Sequence, residues 1–256
     1  MEMVAQVDSE YLLLIQWSLE MWLVETENLS DDTLDEINAE TENIYQAISE
    51  GLKQEETVEL SAQLLIQTKL LAERRGHWQA WIPLLEETSC NNINPLLSVK
   101  LLNQLGYLYV RARNIYKAID KHKLAHSMAN ELNEVDELVR AKANLCNDYR
   151  HVNLYDKSSV IGFEAISLIK SDPHLVCFVT QAIAYNGYGL LQLERGMYSD
   201  ALKILLTAEK IYKHLSDLTY LGQISVDLSL AMCNICLLYT SPSPRDLSTS
   251  RMPSSA

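Results

Sequence analysis

The stretch YNGYGLLQLERGMYSDALKILLTA, Tyr185 to Ala208, decides the fold. Tyr185 opens it and Gly189 follows one helical turn later. Gly196 marks a break, and Tyr198, Ala201, Leu205 and Ala208 then recur at three- and four-residue spacing. That spacing is one face of an α-helix on each side of Gly196. Two helices joined by a glycine turn fold back as an antiparallel hairpin. Gly189 has no side chain, so the second helix can come close. Ala201 is expected to face it at the crossing, where anything larger would push the helices apart. Tyr185 and Leu205 are expected to fill the groove between one hairpin and the next.

The same spacing recurs upstream. Leu102, Leu105, Gly106 and Tyr109, then Ala118, His122 and Ala125, form one unit. Leu145, Cys146, Tyr149, Asn153, Tyr155, Ser158 and Ala165 form a weaker one. An earlier unit has Gly76, Trp78, Trp81 and Leu85, with Lys69 at the small-residue position, and a last one begins at Leu228-Ser229. The small-residue positions 106, 146, 189 and 229 lie 40, 43 and 40 residues apart. Breaks fall near Leu29–Ser30, Gly76, Asn91–Pro95, Asn114, Asn133, Asn153, Ser171–Pro173, Gly196 and Ser216–Asp217. They delimit about eleven helices of roughly 14–22 residues.

These residues resemble the tetratricopeptide-repeat pattern. The resemblance implies an all-α, right-handed solenoid of antiparallel helix hairpins over roughly residues 55–235. The ordinary repeat has about 34 residues, so these units are longer, as in some bacterial signalling proteins. RRGHWQAWIPLLEET, Arg74 to Thr88, resembles a segment found in tetratricopeptide sensor regions attached to bacterial NTPase or transcription-regulator modules. Residues 1–54 lack the small-residue signature and are expected to form a helical pair, about 8–25 and 31–53, acting as an acidic cap. Ser30 is the expected N-cap of the second helix, with acids in its first turn.

Charge is uneven along the 256 residues. Residues 1–60 carry 16 acids and a single base, Lys53, whereas 61–235 carry 17 acids and 18 bases. So acidic a first quarter repels phosphate backbones, and no nucleic-acid partner is expected. A solvated helix face accounts for the acids; a dock for a basic partner is the sharper reading. Cys90, Cys146, Cys177 and Cys233 have no disulfide or zinc spacing, which suits a reducing cytoplasm. YLLLIQWSLEMWLV, residues 11–24, is shorter than the roughly 20 residues that cross a bilayer, so no membrane role is expected. MEMVAQVDSE lacks the basic start of a signal peptide.

Residues 236–256, CLLYTSPSPRDLSTSRMPSSA, turn abruptly rich in Ser and Pro, a composition that favours disorder. CLLYTSPSPRD resembles the conceptual translation of a transposase-type sequencing adapter. SRMPSSA resembles the in-frame translation of that adapter's flow-cell end. The resemblance implies that 236–256 are not native protein and that the natural chain continues past Ile235. It also removes the Cys233-Asn-Ile-Cys236 pair as a redox or metal motif.

No phosphate-cradling GxxxxGK[ST] or GxGxxG loop occurs. His122 and His126 share a helical face at metal-ligand spacing, but no third ligand accompanies them, so His122 is read as a packing residue and no metal or cofactor is expected. Asp148 and His151 form a candidate acid–base pair without a nucleophile, so no enzyme activity is expected. Trp78, Trp81, Trp17 and Trp22 are read as packing residues, or as interface anchors if exposed.

Binding surface is what remains. In tetratricopeptide arrays the first helix of each pair lines the concave groove. The resemblance carries those groove positions onto Asn103, Tyr107 and Arg111, then Arg140, Asn147, Arg150 and His151, then Asn186. Asn can bond an extended peptide backbone and Arg can take a carboxylate bidentately. The expected function is a non-catalytic protein–protein interaction scaffold for a protein or peptide, acidic or carboxylate-bearing. The alternative is the sensor arm of a larger bacterial NTPase or transcription regulator. Leu228, Leu230, Met232 and Ile235 are expected to leave apolar surface uncovered at the C-terminal end and to promote self-association.

Overall fold

The computed structural model describes residues 2–30, 33–89 and 91–240. Cys90, Asp31, Asp32 and the tail beyond Thr240 lie outside the described residues. Among the described residues there are thirteen α-helices and no strand. They are α1 (Glu2–Glu25), α2 (Leu34–Ala39), α3 (Thr41–Gly51), α4 (Val58–Gln67), α5 (Lys69–Arg75), α6 (Trp78–Thr88), α7 (Pro95–Arg111), α8 (Ile115–Leu132), α9 (Val135–His151), α10 (Tyr155–Ser171), α11 (Phe178–Glu194), α12 (Tyr198–Leu215) and α13 (Leu218–Thr240). A 3-10 turn, Pro173–Leu175, precedes α11. The architecture is all-α and tetratricopeptide-like: α7 with α8, α9 with α10 and α11 with α12 make three hairpins, and α13 packs against α12.

The hairpins repeat in detail. Seven residues beyond each small-residue position the backbone turns left-handed: φ is 60° at Arg113, 59° at Asn153 and 76° at Gly196. The next amide reaches back to close the helix end. Asn114 N–H donates to the Tyr109 carbonyl at 2.8 Å, Leu154 to Tyr149 at 2.8 Å, and Met197 to Gln192 at 2.9 Å. Such a bond satisfies a carbonyl that the helix itself leaves unpaired. The conformation is natural for Gly196 but costs Arg113 roughly 1–2 kcal/mol, which the closing bond offsets.

Each hairpin also meets sixteen residues apart. A Cβ on Gly106 would lie 2.3 Å from His122 Nε2, and one on Gly189 would lie 2.6 Å from Leu205 Cδ2. In the middle hairpin the small residue moves to the second helix: a Cβ on Gly162 would lie 2.7 Å from Cys146 Sγ. The Tyr188 ring of the next hairpin fills that gap, 2.7 Å from the same point. Leu205 therefore faces Gly189. Ala201 packs instead with Leu193 and Ala231, a correction to the expected crossing.

The one 43-residue spacing has a local cause. α8 to α9 and α12 to α13 turn through left-handed Asn133 and Ser216, each followed by a single linking residue. α10 to α11 uses the longer loop holding the 3-10 turn, and α10 is one residue shorter than α8 and α12.

The first third is less regular. The expected helix 31–53 is two helices, α2 and α3, broken at Glu40, where ψ is 8°. Ser30 is not the N-cap: α2 starts behind Thr33, and Ser30 N–H donates to Thr33 Oγ1 at 3.1 Å in the preceding turn. A further break at Thr68 separates α4 from α5, with the Thr68 hydroxyl donating back to the Leu64 carbonyl at 2.7 Å. One apolar core holds these helices, from Ile15 and Leu19 through Ile44, Leu65 and Trp81 to Leu105 and Ala118. Trp81 is fully buried, while Trp22 and Trp78 pack at the core's edge. Trp17 does not pack: it is 63% exposed.

On α13, Leu230 and Met232 are exposed and Ile235 half-buried, as expected of that end, but Leu228 is buried against Tyr212 and its neighbours. The helix continues past Ile235 to Thr240. Among the described residues no helix is long and apolar enough to cross a membrane.

Candidate functional site

The inner side of the stack encloses a cavity of about 750 Å³. α4 and α5 supply Ile66, Lys69, Leu70, Glu73 and Arg74 to its wall, and α7 supplies Lys100, Asn103, Gln104 and Tyr107. α9 adds Asp136, Glu137, Arg140 and Asn144; α11 adds Val179 and Ile183; α12 adds Tyr212, the turn after it Asp217, and α13 Tyr220.

Arg74 closes the ring. Its guanidinium donates to Asp217 Oδ2 at 2.9 Å and to Thr219 Oγ1 at 3.0 Å. It also lies 5.6 Å from the Tyr220 ring centroid, and Tyr220 stacks on Tyr212 at 5.1 Å. These contacts tie α5 to the α12–α13 turn, joining segments 143 residues apart in sequence. Beside this clasp, burial pushes the Glu73 carboxyl above its ordinary value, against the pull of Lys69, Arg74, Arg140 and Arg111. Burial also raises the Tyr107 hydroxyl, and the Glu73 charge adds to it.

The opposite wall is a polar network. Asn103 is 3% exposed, and its Nδ2 donates to Glu137 Oε2 at 2.8 Å. That bond fixes the amide, and Asn103 Oδ1 is left buried with no donor among the described residues. Arg140 lies 3.4 Å from Asp136 Oδ2 and 3.5 Å from Glu137 Oε2. Asp136 also accepts from the Cys177 amide at 2.9 Å, at the start of α11. Lys69 and Lys100 are half-buried in the same cavity, and neither has a carboxylate within 4 Å among the described residues.

Of the groove residues expected from the sequence, Asn103, Tyr107 and Arg140 line the cavity together. The other five do not. Arg111 is exposed and lies 5.8 Å from the Trp78 ring centroid. Arg150 pairs with Glu194, and its guanidinium donates to Asn147 Oδ1 at 3.5 Å. Asn147 packs where a Gly187 side chain would stand, 2.7 Å from that point. His151 keeps one edge in solvent, while the packed side of its ring is desolvated, which with the nearby Arg150 lowers its pKa. Asn186 is half-buried on α11. Distance along the helix axes separates them: these positions lie beyond the last residues of α7, α9 and α11 to reach the cavity, Tyr107, Asn144 and Ile183.

Lys100 was within reach of sequence reasoning, one turn before Asn103 on the same face. Lys69 stood at the expected small-residue position, but the Thr68 break starts a new helix there and places it on the cavity wall. Arg74, Asp217 and Tyr220 had no local signal.

Asp148 does not pair with His151. Its Oδ2 meets His122 Nδ1 at 2.6 Å, both residues 1% exposed, and His122 Nε2 meets the Asn103 carbonyl at 3.2 Å. Both His122 nitrogens are therefore engaged, which removes the pairing with His126 as a metal site. Among the described residues no group of three or more His, Cys, Asp or Glu is placed to hold a metal ion.

Comparison with known proteins places the fold. BtubC (BKLC) from P. vanneervenii aligns at 16% identity over 93% of this chain and 95% of that one, with a TM-score of 0.52. A Rap protein complexed with competence and sporulation factor aligns at 14% identity and a TM-score of 0.67, over 93% of this chain and 66% of that one. The apo form of RapI aligns at 14% identity and 0.54, over 93% and 78%. The chain thus spans just under two thirds of the Rap protein in that complex. No protein-family model matches the sequence, and no curated protein does. At these identities the likeness establishes the helical-repeat fold and nothing finer.

Proposed function

We propose that the chain is a non-catalytic interaction scaffold that takes an extended peptide or protein segment, preferably acidic, in the inner cavity. The observation that carries this reading is the buried, unpartnered Asn103 Oδ1 on the wall of a cavity of about 750 Å³. The volume falls within the roughly 300–1,000 Å³ of ligand pockets. An amide oxygen held for a donor suits a peptide N–H. Lys69 and Lys100, which make no ion pair among the described residues, favour a carboxylate-bearing ligand, with Glu73 the nearby acid that acts on Lys69; Arg140 is already engaged and orients the wall. A protein of similar fold, the Rap protein, forms a complex with competence and sporulation factor, which supports a ligand-binding role for such a stack.

The test is titration with a short capped peptide rich in Asp and Glu, against its Asn/Gln counterpart. The acidic peptide should bind more tightly, and Lys100→Glu or Tyr107→Ala should weaken it by roughly tenfold or more. Lys203→Glu, remote and exposed, serves as the control. Binding that survives both cavity variants unchanged would overturn the assignment. Self-association is the subsidiary expectation, through the apolar Val226, Leu230 and Met232 of α13; Leu230→Lys should reduce it in sedimentation, and an unchanged profile would exclude that face.

A further inference from the structure

α1 is apolar on two opposite sides. Ile15 and Leu19 are buried in the first core, with Trp22 and Leu23 packed beside them. Half a turn around the helix, Leu13 is 63% exposed, Trp17 63% and Val24 71%. At 3.6 residues per turn, positions 13, 17 and 24 fall in one narrow stripe, and Leu14, also 63% exposed, widens it. Single exposed apolar residues are ordinary, but a row of aligned ones that includes a tryptophan, broken only by Glu20 between Trp17 and Val24, marks an interaction surface. Glu10, Glu20 and Glu25 border it, all exposed.

Charge selects the occupant. Residues 1–60 carry 16 acids and one base. A second copy would set its own carboxylates against Glu10, Glu20 and Glu25, and an anionic lipid surface would be repelled in the same way. A helix with an apolar stripe flanked by Lys and Arg satisfies both the stripe and its borders. The stripe runs over about 18 Å, which matches three turns of a partner helix.

We propose that the outer face of α1 docks a basic amphipathic helix from another protein. Leu13, Trp17 and Val24 interleave with its apolar side chains, and Glu10, Glu20 and Glu25 meet its cations. This face lies outside the inner cavity and does not depend on the cavity reading.

The probe is a labelled helical peptide of about 18 residues, with Leu at helical spacing and Lys elsewhere, and a twin with Glu in place of Lys. Anisotropy should show the Lys peptide binding and the Glu peptide not. Trp17→Glu with Val24→Glu, both at exposed positions, should weaken binding by roughly tenfold or more with far-ultraviolet circular dichroism unchanged. Glu20→Lys with Glu25→Lys should weaken it as well, and raising salt should do the same. The proposal is overturned by the Glu peptide binding equally, by the Trp17/Val24 variant binding like the wild type, or by no binding at all. Sedimentation showing a wild-type dimer that Trp17→Glu turns into a monomer would overturn it too, by making a second copy the occupant.

Discussion

The stack from α7 to α12 and the first third from α1 to α6 are both helical, but they are held together differently. In the stack each hairpin closes on itself. The left-handed turn, the closing amide and the sixteen-residue contact recur in every unit. Solenoid stability of this kind is a sum of units and their neighbouring interfaces. In the first third no such rule repeats. Six helices of unequal length, from the 24 residues of α1 to the six of α2, share one core around Trp81 that runs on into α7 and α8. Periodic packing makes a segment's environment predictable from its own sequence, whereas a shared core makes it depend on residues far away.

Removing the buried partner of His122 should have the largest effect. Asp148→Ala leaves an imidazole buried between three helices with one nitrogen unsatisfied. Losing one member of such a pair costs about 3–5 kcal/mol, and a lower urea midpoint would record it. Hydrogen exchange should show protection lost in α7 to α10 before α3 to α6. Equal loss in both would mean that the two regions unfold as one unit, and the contrast would fail.

A smaller pair of changes tests the register. Gly162→Ala drives a methyl against Cys146 and Tyr188 and should destabilise by about 1–3 kcal/mol. Gly222→Ala, on α13 with open space around it, should stabilise by about 0.4–1 kcal/mol. Opposite shifts in thermal midpoint are expected. Two shifts of the same sign would break the sixteen-residue rule at its middle unit.

The same division decides what the sequence could reveal. Breaks at Asn114, Asn153 and Gly196 are legible because turn residues announce themselves locally, and so are the small positions 106 and 189; in the middle hairpin the glycine stands across from Cys146, at 162. The breaks at Glu40 and Thr68 are not legible, because neither residue is a strong breaker and their neighbours read as continuous helix. Asn103, Tyr107 and Arg140, which the repeat pattern singles out, line the cavity. Arg150 lies outside the cavity and pairs with Glu194, a pairing that no spacing within α9 reveals. Lys69, at the small-residue position of the earliest unit, lines the cavity instead. The clasp from Arg74 to Asp217 joins the periodic and aperiodic regions, and nothing local in either segment encodes it.

That clasp is the next test of the comparison. Arg74→Ala removes its hydrogen bonds to Asp217 and Thr219, and with side-chain exposures of 16% at Arg74 and 22% at Asp217 the pair is partly shielded. The stability loss should be modest, about 0.5–1.5 kcal/mol, but the curl of the stack should relax. Small-angle scattering should then record a larger radius of gyration. An unchanged profile would mean that repeat packing alone sets the curl.

The smallest effect is expected at Glu73, where the first third contributes a carboxylate to a wall shared with the stack. Burial raises its pKa, and Lys69, Arg74, Arg140 and Arg111 only partly counter this. The folded state therefore holds the proton more tightly than the unfolded chain does. Stability falls as pH rises from the ordinary carboxylate value up through the raised one, because ionisation is easier after unfolding. Glu73→Gln cannot ionise and should lose that fall, so its advantage over the wild type, read as a difference in urea midpoint, should be larger at neutral pH than near pH 5. A constant difference across that range would show that the surrounding cations carry the ionised carboxylate without cost. The two regions would then meet through an electrostatically balanced contact, and the cavity's cations would be less available to a ligand's carboxylate.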